Sequence, residues 1–232
     1  ARWRKSLVAE PTIVGAPGSI DGVMAALAAE GMVEQDPATR RYFLGPECHV
    51  LGNIASERFG INRLAAPVVA RLAHECGDSA FFSLRRDVFA VCVLREDGDY
   101  PLKTHVLLPG DRHPLGIGAG SLALLAAMDD SEAQAVLPPV HQRLQERYPR
   151  YSVDLMEQMT ARARKLGHAM LLDVVVEKMG GLGVAVRGPS GRAIAALSVA
   201  ALSERVESRE QELAQALAAE ARAIERAWMP HA

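Results

Sequence analysis

Residues 31–45 read Gly31-Met-Val-Glu-Gln-Asp36, Pro37-Ala-Thr39 and Arg40-Arg-Tyr-Phe-Leu-Gly45. Two short apolar runs, Met32-Val33 and Tyr42-Phe43-Leu44, flank a polar loop, the pattern of two short strands joined by a turn. Upstream, Ile20, Val23, Met24 and Leu27 recur at helical spacing behind Ser19, a candidate N-cap. Gly31 stands where a left-handed residue would end that helix. Helix, small β-wing and an exit through Gly45-Pro46 follow one another in the order of a winged DNA-binding module that leads into a second domain.

The rest of the chain fits that plan. Its 232 residues, 49% hydrophobic and 23% charged, suffice for one large or two smaller globular domains. Apolar runs such as Leu122 to Met128 are far short of a bilayer span, and no apolar segment follows Ala1-Arg-Trp-Arg-Lys5, so a cytoplasmic protein without membrane contact is expected. Cys48, Cys76 and Cys92 are odd in number and lack metal-type spacing, which points to reduced thiols. A net charge of −2 excludes indiscriminate coating of nucleic acid, which needs a basic surface to release counterions. Any DNA contact is therefore local. Within residues 1–45, Arg2, Arg4, Lys5, Arg40 and Arg41 are balanced by Glu10, Asp21, Glu30, Glu34 and Asp36.

Too little chain precedes Ser19 for two further helices, which average ~11–12 residues each. Glu10-Pro11 and Gly15-Ala-Pro-Gly18 would also break helices. Either segments of the module are missing or it is a reduced one; missing segments are the expectation. After it, Val50, Leu51, Ile54 and Ala55 share one face of a linker helix over Pro46 to Arg58, and Ile61 to Leu72 forms another helix. Strands are predicted at Ala80–Leu84, Phe89–Leu94 and Leu102–Leu108. A helix opens at Gly116–Ser121, a short one is boxed by Ser131 and Gln134, and one capped by Ser152 ends at Gly167. Strands at His168–Val175, Leu182–Arg187 and Ala193–Val199 precede a single last helix, Ser203 to about Trp228, with one apolar stripe. This order predicts an α+β fold with an antiparallel sheet.

Three ordered stretches carry a family resemblance: Tyr42-Phe-Leu-Gly45, Pro114-Leu-Gly-Ile-Gly-Ala-Gly-Ser-Leu-Ala-Leu-Leu-Ala126, and Gly183-Val-Ala-Val-Arg187 with Gly191-Arg192, Ala195-Ala-Leu-Ser-Val-Ala200 and Arg205. Together they resemble the IclR family of bacterial transcriptional regulators. The resemblance implies an N-terminal winged helix-turn-helix over 1–45, either with segments missing or in a reduced form. It implies a linker helix over 46–60 and a GAF-like or profilin-like antiparallel-sheet sensor domain over 61–232. It further implies a double-stranded DNA operator as partner, self-association as homodimer or homotetramer, and a small organic acid as effector.

By the same resemblance the effector is held by backbone amides at Gly118, Ala119, Gly120 and Ser121, opposite Ser198. Gly181 enters the penultimate strand, and Leu102 and Asp173 complete the expected lining. Family members place a second small hydroxyl two residues after Ser198, where this chain has Ala200. They also follow the sequence matching Gly167-His-Ala169 with a polar residue, where Met170, Leu171 and Leu172 stand here. This second departure implies a more apolar pocket and an effector with a hydrophobic body, such as an aromatic or alicyclic acid. On DNA, the recognition helix would run from Ser19 to Glu30, with Gly22 where an arginine is usual. Contacts then fall to Arg2, Arg4, Lys5 and the wing pair Arg40 and Arg41. A sensor whose DNA binding is weak or lost is the alternative.

The residues support an anion site without the resemblance. Three glycines in Gly116-Ile-Gly-Ala-Gly-Ser121 bare peptide amides ahead of a helix, and unpaired N–H groups with the helix dipole favour negative charge. The same glycines would equally serve close packing of helix on sheet. No lysine follows for a phosphate loop, and the spacing is not that of a dinucleotide fold. His105, His113 and His168 are candidate polar pocket groups, as is the pair Arg112-His113, with solvated or core roles as the plainer reading. No metal site or cofactor is indicated. Ser121 lacks the G-x-S-x-G frame of a nucleophile elbow and no paired carboxylates occur, so no enzyme is expected.

Overall fold

A computed structural model describes residues 17–103, 106–148 and 150–228, and the chain divides into two compact units, 1–63 and 64–232. Arg2, Arg4, Lys5, the Glu10-Pro11 breaker, His105 and the side chain of Ser19 lie outside the described residues.

In the first unit, helix α1 (Pro17–Ala29) begins two residues earlier than its apolar spacing suggested. Proline suits a first helical position, where its missing N–H costs nothing, so Pro17-Gly18 opens the helix and Ser19 lies within its first turn. The far end matches the expectation. Gly31 takes φ 67°, its amide donates to the Ala28 carbonyl, and the Met32 amide donates to the Leu27 carbonyl at 2.8 Å, a paired helix stop. The chain then forms a hairpin of β1 (Val33–Gln35) and β2 (Tyr42–Leu44), with Val33 opposite Leu44 and Gln35 opposite Tyr42. Asp36 pins the turn through the Ala38 amide at 2.8 Å and the Thr39 hydroxyl at 2.8 Å. Helix α2 (Pro46–Phe59) follows, with Val50, Leu51 and Ile54 exposed.

Helix α3 (Ile61–Cys76) leads into the second unit. Its sheet contains β3 (Ser79–Arg86), β4 (Phe89–Asp97), β5 (Arg112–Pro114), β6 (Ala169–Leu172), β7 (Met179–Arg187) and β8 (Ala193–Leu202). They are ordered β5-β4-β3-β8-β7-β6, and every neighbouring pair is antiparallel, as the pattern of strands and helices predicts. Helices α4 (Ala119–Ala126), α5 (Asp130–Arg147) and α6 (Val153–Leu166) enclose a core around Leu122, Leu125, Val140, Leu144 and Met156. The carboxy-terminal helices α7 (Ser203–Ser208) and α8 (Glu210–Trp228) bury Val206, Leu213, Leu217 and Ile224. Arg71 on α3 clasps Glu220 on α8 with two hydrogen bonds, at 2.8 and 2.7 Å.

Four expectations are corrected here. Among the described residues of the run Leu102–Leu108 there is no strand: Pro101 and Pro109-Gly110 bracket it, and Asp111 folds back onto Leu108 through its amide at 2.9 Å and its carboxylate at 2.8 Å. The strand beside β4 is instead the three-residue β5. Ser131 does not cap its helix, because Asp129 stands ahead of it and accepts from the Glu132 amide at 2.8 Å and the Ser131 hydroxyl at 2.7 Å. That helix runs 18 residues, through Pro138 and Pro139, rather than being short. The last helix is two, broken at Arg209 (φ −117°), whose guanidinium reaches back to the Cys76 carbonyl at 3.0 Å. Ser152 and Gly167 do bound α6 as expected.

Candidate functional site

The start of α4 lies against the middle of the sheet because two positions there carry no side chain. Gly118 precedes the helix at φ 89° and ψ 151°, backbone space open in practice only to glycine. Gly183 on β7 lets the two backbones meet: a Cβ there would stand 2.8 Å from the Ala119 carbonyl and from the Gly120 nitrogen. The first-turn amides of Ala119, Gly120 and Ser121 have no intrahelical acceptor, and no side chain caps them. The Ser121 hydroxyl turns away from these amides and donates to the carbonyls of Ile117 and Gly118.

Across from these amides the register aligns Phe81, Ser198 and Gly183 in one row and Ser79, Ala200 and Gly181 in the next. Because strand side chains alternate, Phe81, Ser198 and Ala200 share the face toward α4. Ser198 is 8% exposed, and a Cβ on Gly120 would stand 3.1 Å from its hydroxyl oxygen. Between row and helix lies a cavity of roughly 690 Å³ of atom-free space, its open mouth included. Gly118, Ala119, Gly120, Ser121, Gly181 and Ser198 all line it. Of the expected lining, only Leu102 and Asp173 stand apart. Leu102 is 59% exposed, and the wall is built by Val106 and Leu107 instead. Asp173 takes φ 59° and accepts from the Ser203 hydroxyl at 2.9 Å, anchoring the turn whose next residues, Val174 to Val176, form the other lip.

Among the described residues the wall carries no Asp, Glu, Lys or Arg. Its one readily titrating side chain is His113 on β5, opposite Ala90. Burial pushes that imidazole below its usual pKa, against the opposing pull of the Ile117 carbonyl and the Asp111 charge. Of the other two histidines named from sequence, His168 pairs with Glu210 at 2.9 Å, and His105 lies outside the described residues. Arg112 is exposed and does not reach the wall. No cluster of three metal-ligating side chains occurs among the described residues.

A carboxylate brought into such a cavity loses hydration worth several kcal/mol. Hydrogen bonds to a charged group return about 1.5–3 kcal/mol each, so three bare amides are enough to offset that loss. An apolar body of ~150 Å² laid on Phe81, Val106, Leu107 and the valine lip adds about 4 kcal/mol at ~25 cal/mol per Å². The arrangement therefore suits an anion with an apolar body. Of the three histidines offered from sequence as pocket groups, His113 does line the cavity, whereas sequence reasoning missed both lips, because loop placement leaves no periodic trace.

In the first unit, Arg40 and Arg41 stand exposed at the hairpin turn, Arg40 at φ 59°, and neither enters a salt bridge among the described residues. Asp21 and Gly22 are exposed on α1. No helix among the described residues is long and apolar enough to cross a membrane.

Comparison with known proteins agrees with this architecture. A solved structure of an IclR-type regulator from a Silicibacter species superposes with a TM-score of 0.79 at 22% identity, over 92% of this chain and 85% of that one. The Thermotoga maritima IclR structure does so with a TM-score of 0.72 at 20% identity, over 91% and 85%. These likenesses establish the fold: mixed helix and antiparallel sheet. The glycerol operon regulatory protein of Streptomyces griseus is 34% identical over 105 residues, 45% of this chain and 37% of that protein. The HTH-type transcriptional regulator BhcR of Paracoccus denitrificans is 29% identical over 117 residues, 49% of this chain and 42% of that protein. The matched region thus spans about two fifths of the length of these curated relatives, both of them regulators rather than enzymes. A family model described as bacterial transcriptional regulator IclR C-terminal matches residues 54–226, most of the chain, and the chain therefore belongs to the IclR family of bacterial transcriptional regulators.

Proposed function

We propose that the chain is a DNA-binding transcriptional regulator whose sensor domain binds a small organic acid with an apolar body and thereby controls operator binding. In this reading residues 1–45 form the winged module, 46–60 the linker helix and 61–232 the sensor. The observation that carries it is the cavity lined by Ser198 and by Ala119, Gly120 and Ser121, whose amides no side chain caps, with no carboxylate on its wall among the described residues. Val50, Leu51 and Ile54, exposed along α2, support self-association of two copies, which would present two reading heads to two half-sites. An effector that prefers one arrangement of the pair by a few kcal/mol changes operator affinity by orders of magnitude.

Calorimetric titration of the full chain tests the ligand class. Benzoate and cyclohexanecarboxylate are expected to bind more tightly than glyoxylate or pyruvate, by about tenfold or more given the apolar wall. Binding of the short acids alone would overturn the apolar-body reading. On DNA, a mobility shift with the sequence upstream of its own gene is expected. Replacing Arg40 and Arg41 with Ala should flatten the salt dependence by ~0.9 for each phosphate contact removed. The second reading, a sensor that has lost DNA binding, is favoured by Asp21-Gly22 on the exposed face of α1, where an acid repels phosphate. A shift absent at low salt would select it.

A further inference from the structure

His113 is the one side chain on the cavity wall, among the described residues, that can change charge between about pH 5 and 8. Its Nδ1 would stand 3.1 Å from a Cβ on Gly118, so the ring rests against the residue immediately before the uncapped amides. A carboxylate held by those amides arrives beside the imidazole, and an opposite charge within ~4–6 Å favours the protonated ring. Little else competes. From β4 the neighbour is Ala90, from β3 the wall offers Phe81 and Ser83, and from α4 Ser121, none of them charged. Arg85, one strand further along that row, is held by Glu132 at 2.6 Å, and Arg143 on α5 lies over the Phe89 ring at 5.1 Å. On its own segment Arg112 is exposed, while Asp111, which accepts from the Leu108 amide, and the Ile117 carbonyl already favour the proton on the ring, though less than burial disfavours it.

Resting on the effector reading above, we propose that His113 is a further effector-contacting residue that takes up a proton from solvent as the carboxylate enters, so that effector binding is linked to pH. In the empty cavity the ring is neutral near pH 7, because burial holds its pKa below the usual histidine value. The occupied cavity raises that pKa. Affinity for the acid therefore increases as pH falls from the raised value in the complex to the lowered value in the empty protein. The limiting dependence is about tenfold per pH unit. Below the lowered value it levels off.

The test is calorimetry on the full chain with benzoate, or with cyclohexanecarboxylate if that acid binds more tightly, at about pH 7 in phosphate and in Tris, whose ionisation heats differ. Uptake approaching one proton per bound acid is expected, with none for the neutral analogue benzamide. His113→Gln should still bind the acid, with an affinity that is flat between about pH 6 and 8.5. The wild-type comparison in two buffers needs no variant. Binding of the acid without proton uptake, or uptake that persists in His113→Gln, overturns this inference and leaves the effector reading standing. If no acid binds at any pH, both fall.

Discussion

Gly183→Ala is expected to lose effector binding by more than an order of magnitude and to destabilise the sensor domain by about 1–3 kcal/mol, the usual cost of overpacking. The added Cβ would lie 2.8 Å from the Ala119 carbonyl carbon, its oxygen and the Gly120 nitrogen. All three are backbone atoms at the start of α4, so no flexible side chain can yield, and the helix must lift from the sheet. Lifting it separates the bare amides from Ser198. Thermal melting and benzoate titration of the same sample read both effects. Gly52→Ala on α2, where nothing lies within 4 Å, is the control and should leave both unchanged or gain slightly in stability. Wild-type affinity in Gly183→Ala would mean that the close seating of α4 does not form the site.

Asp78→Ala is expected to cost more stability than any change in the cavity, about 3–5 kcal/mol by the precedent of broken buried ion pairs. Its carboxylate is 2% exposed and receives Arg205 at 3.1 and 3.0 Å and Arg209 at 3.2 Å. Arg205 also lies over the Tyr100 ring at 3.9 Å, while Arg209 ties the junction of α7 and α8 to the end of α3. Asp78 therefore joins three segments that periodicity alone leaves separate. Arg205→Ala should cost less, since Arg209 still neutralises the carboxylate. Urea denaturation ranks the variants, and an Asp78→Ala loss below that of Arg205→Ala would contradict this assignment.

The sheet was legible in sequence where alternation is strong. Phe81 and Ser83, or Ser198 and Ala200, show by their spacing which side chains share a face, and the helix stops at Gly31 and Gly167 follow from glycine's access to left-handed backbone. The failures share one cause: local signals compete. Leu102–Leu108 has the apolar residues of a strand, yet Asp111 folds back onto Leu108, and Val106 and Leu107 form a lip of the cavity. Ser131 matched a capping box while Asp129, two residues earlier, took the role. The apolar stripe continues from Val206 to Leu213 at helical spacing, so the break at Arg209 left no mark in the pattern, being set by a carbonyl on α3 far away in sequence. Four amide-bearing residues, Gly181 and Ser198 were placed together from the resemblance, and they do converge on one cavity. His113 is named from sequence as a candidate pocket group and lines the cavity, but the strand that carries it is not legible, because three residues are too few to show a period.

The central claim is that the amides opening α4 hold a carboxylate. It is tested most directly by following the backbone amide resonances of the ¹⁵N-labelled protein during titration with benzoate, cyclohexanecarboxylate, glyoxylate and pyruvate. Saturable downfield shifts at Ala119, Gly120 and Ser121, larger than those elsewhere and absent with benzamide, are the predicted result. Saturation that moves only amides remote from this helix start, or no saturable response to any of the four acids, would contradict it.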